Sequence, residues 1–284
     1  MLAVEEARQA LVDGLVRPAH APLYHAMRMS PAPDPSWERR HPGQRESWSF
    51  DFCAPDASLG GFLGLTLHPP PRPAAWYWAA LVGVGRPYLL VRDLEVEAPR
   101  RGGSREVRAD GLWADVNCET AFEHWSVGLE AFGVAMDDPD EALGAERGER
   151  IGLGLDLEWE AVAGPVGNEG DYDQPCDVHG EILVGAGSVV ETIAFEGHGW
   201  RRHAWGAPPG ADAGATDWLG GRLEDGTPYR GEANAGEGGD GHARRVLFRA
   251  PLRLEPGVLE RSLCRFTAAG GGAGLGWHER LTTT

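Results

Sequence analysis

From Ile151 to Glu160 the chain reads Ile-Gly-Leu-Gly-Leu-Asp-Leu-Glu-Trp-Glu, with every second residue apolar and Gly, Asp or Glu between. Side chains of a β-strand point alternately to opposite faces, so this pattern describes a strand with one buried face. A helix would repeat its apolar positions every three or four residues instead. The period of two recurs along the chain. Trp48, Phe50 and Phe52 alternate with Ser47, Ser49 and Asp51, and Leu63, Leu65 and Leu67 follow the same rule. Further strands are predicted over Trp76–Val84, Pro87–Glu97, Ser104–Ala109, His124–Met136, Val178–Val184, Val189–Phe195, Arg245–Leu254, Val258–Thr267 and Leu275–Leu281.

Helical spacing is confined to the start, where Val4 to Val12 combines good helix formers with apolar residues near a helical period. The run of Pro, Asp, Ser and Gly from Pro31 to Gly43 reads as an exposed loop leading into the first strand. Many short strands separated by Gly- and Pro-rich turns predict an all-β fold, a sandwich or closed barrel rather than βαβ units. A Gly/Pro/Asn-rich break at Ala163–Gly170 is the expected domain boundary. It divides the chain into an N-terminal helical segment (1–30), a first β domain (31–165) and a second (166–284). The halves echo one another in Leu157-Glu158-Trp159-Glu160 and Leu275-Gly276-Trp277-His278-Glu279. Gly206–Gly221 and Arg230–His242, rich in Gly, Ala, Asp and Glu, read as long loops bordering a barrel mouth.

Charge and composition remove whole classes of function. The 43 acidic residues outnumber the 26 basic ones for a formal net charge of −17, which argues against a nucleic-acid backbone or an anionic membrane as partner. The chain has no lysine, so Schiff-base chemistry and a Walker-type phosphate lysine are excluded. Cys53, Cys118, Cys176 and Cys264 lie too far apart to form a zinc motif or a disulfide framework. No apolar stretch is long enough for a membrane-spanning helix, and the acidic Met1–Glu6 segment lacks the pattern of a secretory signal, so a cytoplasmic location is expected. Gly83-Val84-Gly85 and Gly152-Leu153-Gly154 do not open helices and fail as dinucleotide loops. A Gly-x-Ser-x-Gly elbow is absent, as are His-x-His and His-Glu-x-x-His spacings. No metal and no cofactor are expected.

The densest polar stretch is Gly197-His198-Gly199-Trp200-Arg201-Arg202-His203-Ala204-Trp205-Gly206. In an extended strand Arg201, His203 and Trp205 share one face, while Trp200 and Arg202 share the other. An inward arginine must have a partner, either Glu181 or Glu196 in a buried ion pair or the substrate itself. His203 can be a core histidine satisfied by a carbonyl or an acid–base group. Candidate catalytic residues are His203, Arg201, Glu196 and Asp217. Candidate ligand-lining residues are Trp205, His198, Trp218, Trp125, His124 and Trp113, and the 11 tryptophans suit an aromatic-lined cavity.

Tyr172-Asp173-Gln174-Pro175-Cys176-Asp177-Val178-His179-Gly180-Glu181-Ile182-Leu183-Val184-Gly185, then Gly197 to Gly206, then Asp217-Trp218, resembles the second half of the hydroxyneurosporene-synthase (carotenoid 1,2-hydratase)/AttH-like superfamily. The resemblance covers about the C-terminal third in motif order, and the first half only in texture. It implies two lipocalin-like antiparallel barrels in tandem, and relatives that include carotenoid hydratases, plant-toxin hydratases and fungal Diels–Alder cyclases. Gly199, Arg201, His203, Trp205 and Gly206 fall on the family's Gly-x-Arg-x-His-x-Trp-Gly positions. Arg202 departs from the pattern, since related sequences often place an aspartate before the histidine. Without it the histidine loses a neighbouring carboxylate that would orient it. The combined expectation is a protein that binds a small hydrophobic metabolite, isoprenoid-, steroid- or polyketide-like. It either hydrates, isomerises or cyclises that molecule without a cofactor, or acts as a plain carrier; a scaffold using the acidic loops is the third reading.

Overall fold

The computed structural model describes residues 33–69, 74–99, 103–186, 189–206, 216–231, 244–254, 257–268 and 270–283. The helix expected within residues 1–30 lies outside them. β1 (Arg45–Cys53), β2 (Leu59–Leu67), β3 (Ala74–Gly83) and β4 (Tyr88–Glu97) run as an antiparallel meander. β5 (Val107–Ala109), β6 (Leu112–Thr120), β7 (His124–Met136), β8 (Glu149–Ala161), β9 (Val166–Asn168), β10 (Asp171–Ala186) and β11 (Val189–Gly206) complete the first sheet. Its order is β4-β3-β2-β1-β11-β10-β8-β7, and β4 pairs again with β7 through Tyr88, Leu89 and Leu90, so the sheet closes on itself as a barrel. β6 pairs with the rest of that β7 edge, and β5 pairs with β6.

The second sheet has five strands in the order β13-β12-β16-β15-β14: β12 (Thr216–Leu223), β13 (Pro228–Gly231), β14 (Arg244–Leu254), β15 (Gly257–Thr267) and β16 (Ala273–Thr283). Among the described residues this sheet is open, so the expected pair of barrels is found as one closed ring and one sheet laid against it. The expected boundary at 165 falls between β8 and β10, which pair with each other from Cys176↔Ala161 to Gly185↔Gly152. Sheet membership changes only after β11. Of the two long loops expected at a mouth, the end of the first (216–221) belongs to the strand Thr216–Leu223, and the start of the second (230–231) to the strand Pro228–Gly231. The flanking residues 207–215 and 232–243 lie outside the described residues.

Alternation decides which residues fill the barrel. Trp48, Phe50 and Phe52 on β1, Trp125, Val127 and Leu129 on β7, and Leu155, Leu157 and Trp159 on β8 share its interior. The other face of β2, β3 and β4 is not solvated. Phe62, Trp78, Ala80 and Leu90 pack on Leu252, Leu259, Leu263, Leu275 and Trp277 of the second sheet. β2 is therefore buried along its whole length, and its sequence is a nearly continuous apolar and glycine run rather than an alternation.

β1 belongs to the barrel and also contacts the second sheet, and its ladder with β11 lapses at Asp51 and Phe52 while the register stays unbroken on either side. The carbonyls there are used by tryptophans instead. Trp159 Nε1 donates to Asp51 O from the barrel interior, and Trp277 Nε1 donates to Phe52 O from the second sheet, each at 3.0 Å. The Leu-x-Trp echo read from the sequence thus corresponds to two indoles that anchor the two units to adjacent peptide groups. Close approach of β11 to this point requires Gly199, where a Cβ would stand 1.8 Å from Asp51 O.

Candidate functional site

A single 3-10 turn, Pro35–Glu38, sets up the polar cluster at one end of the barrel. Asp34 caps it by accepting from Ser36 N at 2.8 Å, and Pro35 takes the first position, where a missing N–H has no consequence. The segment expected as an exposed loop is therefore a plug. It carries Glu38 to 3 % exposure and delivers Trp37, Arg40 and His41 over the barrel end.

Strand parity holds for the central motif. Arg201 and His203 face the barrel, with Trp205 beyond them at the rim. His203 lies opposite Trp48 on one side and Tyr172 on the other, and it is completely buried. Its ring stacks on Trp48 at 4.9 Å, and both nitrogens are engaged: Nε2 with Glu46 Oε1 at 3.0 Å, Nδ1 with Tyr172 Oη at 3.2 Å. The carboxylate that Arg202 displaces from the position before the histidine is supplied by Glu46, which sits on β1 at the same parity as Trp48. Glu46 Oε1 also meets His41 Nδ1 at 3.2 Å, and Oε2 accepts from Arg40 Nε at 3.0 Å and from the His41 amide at 2.9 Å.

These contacts fix the protonation pattern. Burial pushes the Glu46 pKa up, but hydrogen bonds from His203 and His41 outweigh it and hold the carboxyl below its ordinary range. Burial lowers the His203 pKa despite the opposing Glu46 bond. His203 is therefore neutral, donating through Nε2 to Glu46 and accepting at Nδ1 from Tyr172, an assignment made from the hydrogen-bond partners. Burial raises the pKa of Tyr172 well above that of a free phenol, which keeps it a donor. His41, Glu46 and His203 place ligand atoms within 4.8 Å of one another, close enough to embrace a cation. With all four acceptor positions of Glu46 taken by donors, the cluster is satisfied as it stands.

Arg201 does not pair with Glu181 or Glu196. Both acids are exposed, and Glu196 has the opposite parity on β11. Arg201 instead binds Glu38 and Gln174, both buried, and lies 5.2 Å from the Trp125 ring and 5.6 Å from that of Tyr172. Glu38 raises its pKa further against the burial that would lower it.

The remaining candidates are dispersed. His198 projects from the opposite face of β11, away from His203, and contacts Cys53 Sγ at 3.3 Å and Leu275 O at 3.2 Å. Burial lowers its pKa to about 4, so it is a neutral structural histidine. Asp217 binds His278 Nε2 at 2.5 Å on the second sheet, and Trp218 packs edge-on against Trp200 between the sheets. His124 pairs with Glu158 at the surface, and Trp113 lies on the outer side of β6 over Gly128. Trp125 alone of the ligand-lining set reaches the barrel interior, while Trp205 stacks on His41 at 4.1 Å.

The opposite face of β11 borders a second polar cluster that sequence reasoning did not foresee. Asp51, Asp173, Trp200, Arg202, Arg261 and Glu279 line a cavity of about 10 Å³ between barrel and sheet, room for about one water. Asp51 Oδ1 accepts from Trp200 N at 2.8 Å, and Arg261 Nη2 is 3.4 Å from Oδ2. Burial raises the Asp51 pKa to about 7 even so. Arg202 turns outward to Asp171 at 2.6 and 2.8 Å.

Glu38, Glu46, Tyr172 and Gln174 were missed as site residues. Two signals for them were present: Glu46 shares the parity of Trp48, Phe50 and Phe52, and Asp34-Pro35 is a helix start.

A family described as a domain of unknown function (DUF7064) matches residues 34–245. No curated protein matches the chain. Among solved structures, the crystal structure of an AttH candidate from Nitrosomonas europaea is similar, with a TM-score of 0.52 over 85 % of this chain and 93 % of that one, at 16 % identity. At that identity the likeness shows the fold alone, an AttH-like all-β architecture. No described helix is long and apolar enough to cross a membrane.

Proposed function

The chain belongs to the DUF7064 family, whose description carries no activity, and on that premise we propose that it binds a small, largely apolar molecule inside the barrel. One observation carries this reading. Among the described residues, Trp48 Nε1, Trp125 Nε1 and Tyr77 Oη are buried in the barrel interior without a hydrogen-bond partner. A buried donor left unmade costs about 1–3 kcal/mol, so three in one barrel interior call for an acceptor that the described residues do not supply. The rest of the lumen is aromatic and aliphatic, the usual lining of a small-molecule site. Binding about 300 Å² of apolar ligand surface would contribute roughly 7 kcal/mol before ordering costs.

The Arg201, His203 and Glu46 cluster serves this function as a closure rather than as chemistry, because each of these groups is already bonded within the protein. Turnover by hydration, isomerisation or cyclisation is the second reading. It is favoured only by the Tyr172–His203–Glu46 chain, which has the connectivity of a proton relay, with Tyr172 as its terminal donor.

Mass spectrometry of molecules extracted from the purified protein, together with titration of the hydrophobic dye N-phenyl-1-naphthylamine, tests the binding reading. A co-purifying apolar molecule, or saturable dye binding weakened by Trp125→Ala, supports it. Absence of both rejects it.

A further inference from the structure

Arg105 lies between the two unpaired indoles. Its guanidinium carbon is 5.0 Å from the Trp48 ring and 4.9 Å from the Trp125 ring, one of its terminal nitrogens donates to Glu38 O at 2.5 Å, and its Nε is buried with no acceptor among the described residues. Arg105 Nε, Trp48 Nε1 and Trp125 Nε1 are thus three N–H donors on neighbouring side chains, without partners among the described residues. None of the three groups can accept.

The charge at this end of the barrel is also out of balance. Among the described residues, Glu38 is taken by Arg201 and Glu46 by Arg40, both at bonding distance, and Arg105 has no carboxylate of its own, so three arginines face two glutamates. The nearby histidine His203 is neutral. A cation at the His41, Glu46 and His203 cluster would add to this excess, whereas an anion beside Arg105 would cancel it. The far end of the same interior, formed by Leu59, Leu81, Leu89, Leu153, Ile182 and Phe195, is wholly apolar.

We propose that Arg105, Trp48 and Trp125 form the head-group site for the carboxylate of an apolar acid whose hydrocarbon part extends toward the Ile182 and Phe195 end of the barrel. This rests on the binding reading above and narrows it to a substrate class. Charge-assisted bonds from the guanidinium and the two indoles select a carboxylate over a neutral oxygen, because only the former offers both lone pairs and charge.

The test compares dodecanoate with dodecanol, which share a chain and differ in the head group, by quenching of tryptophan fluorescence in the full-length protein. Dodecanoate is expected to bind about tenfold or more tighter than dodecanol. Arg105→Met is expected to abolish that preference. Trp125→Phe, which removes the N–H and leaves a smaller aromatic ring, is expected to reduce it about threefold; this variant serves if Arg105→Met fails to fold. Equal affinity for the two probes in the wild type, or a preference untouched by Trp125→Phe and Arg105→Met, overturns the carboxylate site and leaves the apolar-binding reading standing. Binding of neither probe overturns both.

Discussion

Replacing Asp51 by asparagine tests whether the polar layer between barrel and sheet carries a proton. Asp51 is 2 % exposed and faces Arg261 and Glu279 from the second sheet, Asp173 from β10 and Arg202 from β11. Burial, opposed by Arg261 and by the Trp200 amide, raises its pKa from 3.8 to about 7. The folded protein thus holds this proton more tightly than the unfolded chain does. The resulting stability is fully present below about pH 4 and is lost as pH rises through 7. The interval from 3.8 to about 7 corresponds to ~4 kcal/mol, of which ~3 kcal/mol falls between pH 5 and 8. Buried His198 and His203 act in the opposite sense, losing stability as pH falls, but they are common to both proteins. The asparagine side chain keeps an oxygen for the Trp200 amide and has no proton to lose. Urea unfolding followed by tryptophan fluorescence, at steps from pH 5 to 8, should show Asp51→Asn gaining on the wild type by ~3 kcal/mol across the range. A difference that stays constant with pH would refute the reasoning. It would mean that Arg261 keeps the carboxylate ionised throughout.

Three further substitutions probe the frame. Glu38→Gln leaves Arg201 buried without its counter-charge, and thermal unfolding by circular dichroism should register a loss of about 3–5 kcal/mol; an unchanged midpoint would show that Gln174 suffices. Gly199→Ala drives a methyl into the Asp51 carbonyl and should cost more than about 4 kcal/mol, read as failure to accumulate folded protein or a collapsed urea midpoint. Trp159→Phe removes the N–H that Asp51 O accepts and leaves a smaller aromatic ring, so a loss of at least about 1–3 kcal/mol is expected by urea unfolding. A neutral result would mean that the carbonyl finds water.

What the sequence reveals and conceals here follows from the range of the interactions. His124–Met136 is a strand with the same ends in sequence and structure, because its alternation is local and its two faces have different environments. The 216–221 part of β12 reads as loop because Gly220 and Gly221 remove the alternation there, and they do so to admit Trp218, Trp200 and β16 at close range. The partners of Arg201 and His203 were beyond reach for another reason. Glu38 and Glu46 lie more than 150 positions away, and only the ring order that sets β1 beside β11 brings them together. Parity correctly assigned the faces of β11. It could not name what stood opposite, and it favoured Glu196 only because Glu196 was near in sequence.

β11 also explains why a motif rich in His, Arg and Trp reports on architecture. Its odd-numbered positions carry Arg201 to Glu38, His203 to Glu46 and Trp205 to His41, and so hold the plug on the barrel. Its even-numbered positions carry His198 to Leu275 O, Trp200 to Gly221 O and Arg202 to Asp171, and so fasten the second sheet and the start of β10. Every one of those polar groups is spent on the protein itself. A polar group that recognises a ligand must keep some bonding capacity in hand, and among the described residues of the barrel that capacity belongs to Trp48, Trp125, Tyr77 and Arg105. The place to look for a ligand is therefore set by which buried donors are unmatched. The density of titratable residues along the strand points to the closure instead.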